Sequence, residues 1–101
     1  VDWRREELQV LLLQPVGVLD GARLQGQDLS RLGFSKWSLV YADLSDCNFF
    51  ACNFVSSDLT GANLIRADFS GANLKNANLN GTKLQLARLP PWDSGLMEGV
   101  Q

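Results

Sequence analysis

The chain has 101 residues, of which 46% are hydrophobic, and a formal net charge of −2. This length suits a single domain with a modest core, and the longest apolar run, 10–13, is far too short to span a membrane. Acidic and basic residues nearly balance, so neither nucleic acid nor a membrane surface is an expected partner.

The first twenty residues predict a helix followed by a linker. Asp2 suits the N-cap position, and a helix over 3–13 carries three leucines on one side: Leu8, Leu11 and Leu12. Pro15 ends the helical pattern, because proline lacks the backbone N–H that a helix interior needs. We therefore assign 1–20 to a short N-terminal capping α-helix and a linker.

A strict period of five residues follows. Leucine or phenylalanine occupies every fifth position from Leu24 to Leu89, in fourteen of fourteen steps. Two positions before each of them lies a second column, in which eleven of fourteen residues are Ala, Cys, Ser or Thr. The residue between the two columns is mostly Asn or Asp. Each unit thus consists of a small residue, a polar residue, Leu or Phe, and two residues that are mostly polar or Gly.

This period excludes a helix and a continuous strand. A helix with 3.6 residues per turn would carry a five-residue column around its whole surface, and a strand has period two. The pattern instead predicts a three-residue extended piece with its first and third side chains inward, followed by a two-residue corner. Glycines at 21, 26, 61, 71 and 81 fall in that corner, where a positive φ is needed. The chain is therefore expected to wind into a solenoid around the Leu/Phe column.

The segment 61–74, Gly-Ala-Asn-Leu-Ile-Arg-Ala-Asp-Phe-Ser-Gly-Ala-Asn-Leu, resembles the pentapeptide-repeat family, and the resemblance covers 21–90. It implies an all-β fold, a right-handed quadrilateral parallel β-helix with four units per coil, or about 3.5 coils for fourteen units. The residues alone leave the number of sides open. The phenylalanines at 34, 49, 54 and 69 would stack at a spacing of fifteen as well as twenty.

The repeat ends at Pro90-Pro91-Trp92, and we assign 91–101 to a C-terminal cap or linker. An open solenoid end exposes apolar core and unpaired backbone groups, so a cover is expected there. Leu96 and Met97 are suited to fold over the last coil. The alternative is that the repeat continues in a longer parent protein, with this segment as a break in it.

The residues that chemistry requires are scarce. Histidine is absent, and the outward Asp residues are scattered along the repeat, so no acid–base or nucleophilic site is expected. Cys47 and Cys52 lie in the inward small column, where we expect two separate, buried, reduced thiols of an intracellular, cytoplasmic protein. Two cysteines are too few for a zinc site. We predict a protein that is not an enzyme and has no catalytic residue, metal or cofactor.

One outward-facing group of residues is a candidate partner-binding patch: Phe50, Ala51, Asn53 and Val55. Apolar side chains outside the inward columns are the informative exceptions on a solenoid surface. Phe50, Ala51 and Val55 fall along one face of the second coil, with Asn53 between them. The expected partner is a protein.

Three functions remain open. The first is an interaction or scaffold module, since the amphipathic N-terminal helix followed by Leu-Gln-Gly-Gln-Asp-Leu-Ser at 24–30 resembles eukaryotic BTB/POZ proteins of the potassium-channel-tetramerisation-domain type. That resemblance implies the substrate-recruiting part of a cullin ubiquitin-ligase adaptor. The second is DNA mimicry that protects gyrase, as in acidic family members, although 21–90 has five acidic and seven basic residues. The third is a photosynthetic or lumenal pentapeptide protein.

Overall fold

The computed structural model describes residues 3–101, and within that range the chain has one α-helix, α1, at Arg5–Leu11. α1 is shorter than the helix predicted over 3–13, and Asp2, the predicted N-cap, lies outside the described residues. Arg4 precedes the first turn, and its N–H donates to Oε1 of Glu7 at 2.9 Å. Leu8 is the one buried residue of α1.

After α1 the chain consists of five-residue units, each paired in parallel with the unit twenty residues later. Eleven such bridges run from the Val18–Ser38 pair to the Asp68–Arg88 pair, so the pairing begins three residues before the predicted start at Gly21. Each unit contributes one bridged residue between two turns, which keeps every extended piece short. A register of twenty residues means four units per coil, and the chain is a parallel β-helix.

We name the four sides of the coil by the inward residues that stack on each. Side A stacks Leu24, Leu44, Leu64 and Leu84; side B stacks Leu29, Phe49, Phe69 and Leu89; side C stacks Phe34, Phe54 and Leu74; side D stacks Leu19, Leu39, Leu59 and Leu79.

Backbone hydrogen bonds hold consecutive coils together and determine the corners. On side A, for example, the Leu44 N–H donates to the Asn63 carbonyl at 2.8 Å. The second corner residue of each unit has φ near +60°, and nine of these residues are not glycine. The corner is supported by the outward Asn or Asp, whose Oδ1 accepts the N–H two residues later, as Asn48 does from Phe50 at 3.0 Å. The outward Asn and Asp side chains thus have a local structural role in the turns.

The core is the Leu/Phe column. Its twelve members from Leu24 to Leu79 are buried, and the phenylalanines stack at a spacing of twenty residues, with the Phe34 and Phe54 ring centroids 4.9 Å apart and nearly parallel. The expectation that all fourteen are buried is wrong for the last two. Leu84 is 37% exposed and Leu89 is partly buried, because no further coil stacks on this part of sides A and B.

Arg5 of α1 binds the first coil on side B. In the interior, the carbonyls of Asn48 and Phe50 accept N–H groups from the coil before them. The equivalent carbonyls in the first coil, those of Asp28 and Ser30, accept instead from the two terminal nitrogens of the Arg5 guanidinium, at 2.9 and 3.0 Å. The planar guanidinium thus supplies the pair of donors that another coil would supply.

The segment after Pro91 returns to the repeat with its register shifted by three residues. The Leu64 N–H donates to the carbonyl nineteen residues later, whereas the Leu74 N–H donates to Leu96, twenty-two residues later, at 2.8 Å. The Leu79 N–H donates to Gln101 with the same offset. This shift brings Met97, which is 2% exposed, onto Leu74, so the segment lies over sides C and D.

Candidate interaction surface

Phe50 lies at the corner between sides B and C and is 41% exposed. A Cβ atom added to Gly71 would lie at an ordinary contact distance, 3.6 Å, from Cε1 at one edge of the ring. On the other side, the guanidinium carbon of Arg31 lies 5.1 Å from the ring centroid, a cation–π geometry. Its backbone N–H donates to Asn48. The ring is therefore exposed and in contact with the Arg31 side chain.

The other three residues of the predicted patch follow Phe50 along side C. Ala51 is exposed at the corner with φ of 59°. Asn53 is exposed in the middle of the side, and its Oδ1 accepts the Val55 N–H at 3.0 Å. Val55 is half-buried at the next corner. The four predicted residues thus lie on one side of one coil.

Side C with its corners comprises 30–36, 50–56 and 70–76, and it differs from the other sides in charge. These twenty-one positions contain no Asp or Glu and three cations: Arg31, Lys36 and Lys75. The other sides carry carboxylates, among them Asp43 on side A, Asp68 on side B and Asp58 on side D. The segment that covers side C adds a carboxylate above it, that of Glu98, whose carbonyl accepts the Asn76 N–H at 2.8 Å.

The outward positions in the middle of side C are Gly33, Asn53 and Asn73. Both asparagines use Oδ1 to accept a corner N–H, from Val55 and from Lys75. Neither amide NH2 group donates to another residue of 3–101. Side C therefore presents hydrogen-bond donors. At Gly33 a Cβ atom would have nothing within 4 Å, so the backbone there is open to contact.

Charges elsewhere are more locally paired. At the corner between sides A and B, Asp46 accepts from Nε and a terminal nitrogen of Arg66, at 2.7 and 3.0 Å. This hydrogen bonding lowers the pKa of Asp46. On side B, the Ser70 hydroxyl and N–H lower the pKa of Asp68 by hydrogen bonding. These groups already have partners, which leaves them less available for recognition.

Both cysteines are buried free thiols, as predicted, with Cys47 on side B and Cys52 on side C. Their Sγ atoms donate to the carbonyls of Leu24 and Leu29, each at 2.9 Å. Burial raises the pKa of Cys47 to about 11 and that of Cys52 to about 12. Such thiols are inert at neutral pH, because the reactive thiolate is scarcely populated.

A cleft of about 530 Å³ lies between the start of α1 and the first coil. Its lining mixes arginines with acidic residues, among them Arg4, Arg5, Glu6 and Asp28. In the described range, no three His, Cys, Asp or Glu residues come together as metal ligands. Within 3–101, no helix is long and apolar enough to cross a membrane.

The patch predicted from the sequence contains Phe50, Ala51, Asn53 and Val55 but lacks the cations of this surface and Asn73. Arg31, Lys36, Lys75 and Asn73 belong to side C but are far from Phe50 in sequence. Reading the sequence in rows of twenty residues places them beside the patch. That reading requires the number of units per coil, which the residues alone left open.

Comparisons with family models and with solved structures agree with the fold. A family model described as pentapeptide repeats, in eight copies, matches residues 18–54 and 52–89. A crystal structure of the pentapeptide repeat protein Rfr23 from the cyanobacterium Cyanothece 51142 is similar, with 31% identity and a TM-score of 0.64, covering 83% of this chain and 55% of that one. A search of curated proteins finds no match.

HetL, a pentapeptide repeat protein involved in heterocyst differentiation regulation in Nostoc sp. strain PCC 7120, is also similar. It has 30% identity and a TM-score of 0.65, and the match covers 83% of this chain and 38% of HetL. This chain thus spans about half of Rfr23 or less than half of HetL. Such proteins are generally structural repeat modules without enzymatic activity and form right-handed β-helices. With the twenty-residue register and the family match over most of its length, the chain belongs to the pentapeptide-repeat family.

Proposed function

We propose that this chain is a non-enzymatic protein–protein interaction module that binds a partner protein through side C. The observation that carries this proposal is Phe50, an exposed aromatic ring with the Arg31 guanidinium over one face. Interface centres are rich in aromatic residues and poor in charge, and an anchor that is already ordered loses little entropy on binding. Ala51, Asn53 and Val55 complete the contact surface.

The test compares which proteins the wild type and three variants capture from cell extract. Phe50→Ser should weaken the free energy of binding to the partner by about 1–3 kcal/mol, as truncation of an interface aromatic does. Tyr41→Ser is the matched control, because Tyr41 is a 73% exposed aromatic at the corner between sides D and A. Partners identified by mass spectrometry are then titrated against each purified variant, with circular dichroism as the check on folding.

The proposal fails if Phe50→Ser retains every partner that the wild type binds. A triple variant, Asp43→Asn, Asp58→Asn and Asp68→Asn, separates it from DNA mimicry. A mimic depends on these three carboxylates, whereas binding centred on Phe50 does not. A role in a cullin ubiquitin ligase is a narrower form of the same proposal, and co-purification of a cullin with the full-length parent protein tests it.

Two structural assignments belong to the same proposal. We take α1 to be the N-terminal cap of the solenoid, because Arg5 occupies the donor positions of a preceding coil and the Leu8 side chain is buried. We take the fourteen units of 21–90 to form about 3.5 coils, with 91–101 as the C-terminal cover. These parts keep the interaction surface folded and take no direct part in binding.

A further inference from the structure

We infer that side C binds a partner segment rich in carboxylates, presented next to apolar side chains. This inference rests on the proposed function, because it names the chemistry of the partner that Phe50 anchors. The charges of side C support it, since 30–36, 50–56 and 70–76 contain Arg31, Lys36 and Lys75 but no Asp or Glu. Complementary charge across an interface selects the partner and speeds its association.

The hydrogen-bonding groups of side C point to the same partner. The Oδ1 atoms of Asn53 and Asn73 are occupied by the corner N–H groups, so what remains for a partner is two amide NH2 donors. Carboxylate oxygens are acceptors only and match such donors. On the other sides, Asp43, Asp58 and Asp68 use one oxygen in the same local bond and leave the second as an acceptor.

The fold therefore accepts either Asn or Asp at this outward position. Either residue supplies the oxygen that supports the corner, and both occur in it along the repeat. The presence of Asn rather than Asp at positions 53 and 73 therefore affects the chemistry of the exposed surface and is not required for folding. Glycine is likewise not required by the fold at position 33. The φ of Gly33 is not positive, and a Cβ atom there would have no neighbour within 4 Å, so neither the backbone conformation nor packing requires glycine. Bare backbone at Gly33 permits a close approach beside Arg31 and Lys36.

A protein segment fits this surface better than nucleic acid does. Tight phosphate binding needs many cations, and side C has three on a chain of net charge −2. The apolar surface of Phe50 and Val55 also matches apolar side chains interspersed among carboxylates. The expected ligand is thus an acidic peptide segment that also carries Leu or Phe.

The test measures fluorescence anisotropy with a short labelled peptide of equal Glu and Leu content. Two further labelled ligands are measured for comparison: the same peptide with Lys in place of Glu, and a single-stranded oligonucleotide. The Glu/Leu peptide should bind most tightly, and its affinity should fall as salt is added. The double variant N53D/N73D should weaken it about tenfold or more, since each change replaces a donor by an acceptor and adds negative charge.

The matched control is N63D/N78D, which makes the same chemical change on sides A and D. Asn63 and Asn78 support their corners in the same way, so the net charge and the local bond change equally. This variant should bind within about twofold of wild type, because its added charges lie outside the interface. The inference is overturned if the two double variants weaken binding equally, if neither does, or if the oligonucleotide binds more tightly than the Glu/Leu peptide.

Failure of this inference is distinguishable from failure of the proposed function. If Phe50→Ser loses the captured partners while N53D/N73D keeps them, side C is an interaction surface whose partner is not acidic. If both keep them, side C is not the interaction surface.

Discussion

The indole ring of Trp37 lies against the bare α-carbon of Gly17, one coil earlier on side D. Trp37 occupies the small column and is only 2% exposed. A Cβ atom on Gly17 would overlap the ring, with Cζ2 2.9 Å away and two other ring carbons closer still. The largest side chain of the small column is thus accommodated because the residue twenty positions before it has none.

We expect Gly17→Ala to lower the free energy of unfolding by about 1–3 kcal/mol, as overpacking of a core does. In a Trp37→Ala background the same change should cost little, because the ring that it meets is gone. Gly33→Ala is the control, with open space at its Cβ position, and should be neutral or slightly stabilising. Urea unfolding followed by circular dichroism measures all four variants. Equal costs of Gly17→Ala in both backgrounds would contradict the contact.

Leu64 is fully buried in the middle of side A. We expect Leu64→Ala to destabilise the protein by about 2–5 kcal/mol, because truncation leaves a cavity between stacked coils. Leu86→Ala serves as the comparison, since Leu86 is 79% exposed at a corner and its loss removes little packing. A cost below about 1 kcal/mol for Leu64→Ala would be inconsistent with a continuous core.

Ser57 is the exception in the buried small column, because its Oγ has no hydrogen-bond partner among the described residues. A buried hydroxyl without a partner costs about 1–3 kcal/mol, so Ser57→Ala should stabilise the fold. Thr82→Ala should do the opposite, since the Thr82 hydroxyl donates to the Leu79 carbonyl at 2.8 Å. Thermal unfolding of both variants checks this pair, and a destabilised Ser57→Ala would contradict it.

Arg5 joins α1 to the first coil through two carbonyls. Removing it leaves both acceptors without these donors, so Arg5→Ala should destabilise by about 1.5–3 kcal/mol, as expected for hydrogen bonds from a charged group. Arg5→Lys should recover only part of the loss, because an ammonium cannot match the planar fork. Arg4→Ala, at an exposed neighbour, is the control. Chemical denaturation measures the series, and equal stability of Arg5→Ala and Arg4→Ala would refute the contact.

The two cysteines should react with a thiol reagent only on unfolding. Burial raises their pKa values from 9.0 to about 11 and about 12. The folded state therefore holds these protons more tightly, and their contribution to stability, complete below the unfolded thiol pKa, is lost as pH rises toward the folded values. Ser56→Cys in a background without Cys47 and Cys52 should label at once, since position 56 is exposed. Prompt labelling of the native wild type would contradict this prediction.

Much of this architecture could be predicted from the sequence because a five-residue period has few physical solutions. Burial of Leu24 to Leu79 follows from the column, and the corner glycines follow from the positive φ that a two-residue turn needs. The free thiols follow from their place in the inward column. In each case the prediction depends only on a residue and its near neighbours in the sequence.

The tertiary structure alone decided what depends on residues twenty positions apart. The Gly17–Trp37 contact, the Arg31–Phe50 contact and the grouping of three cations on side C arise from stacking. The period of five does not state how many units complete a coil. The exposure of Leu84 and the shifted register of Leu96 likewise depend on which coil stacks above. Local pattern determined which side chains point inward, and the closure of the coil determined which of them meet.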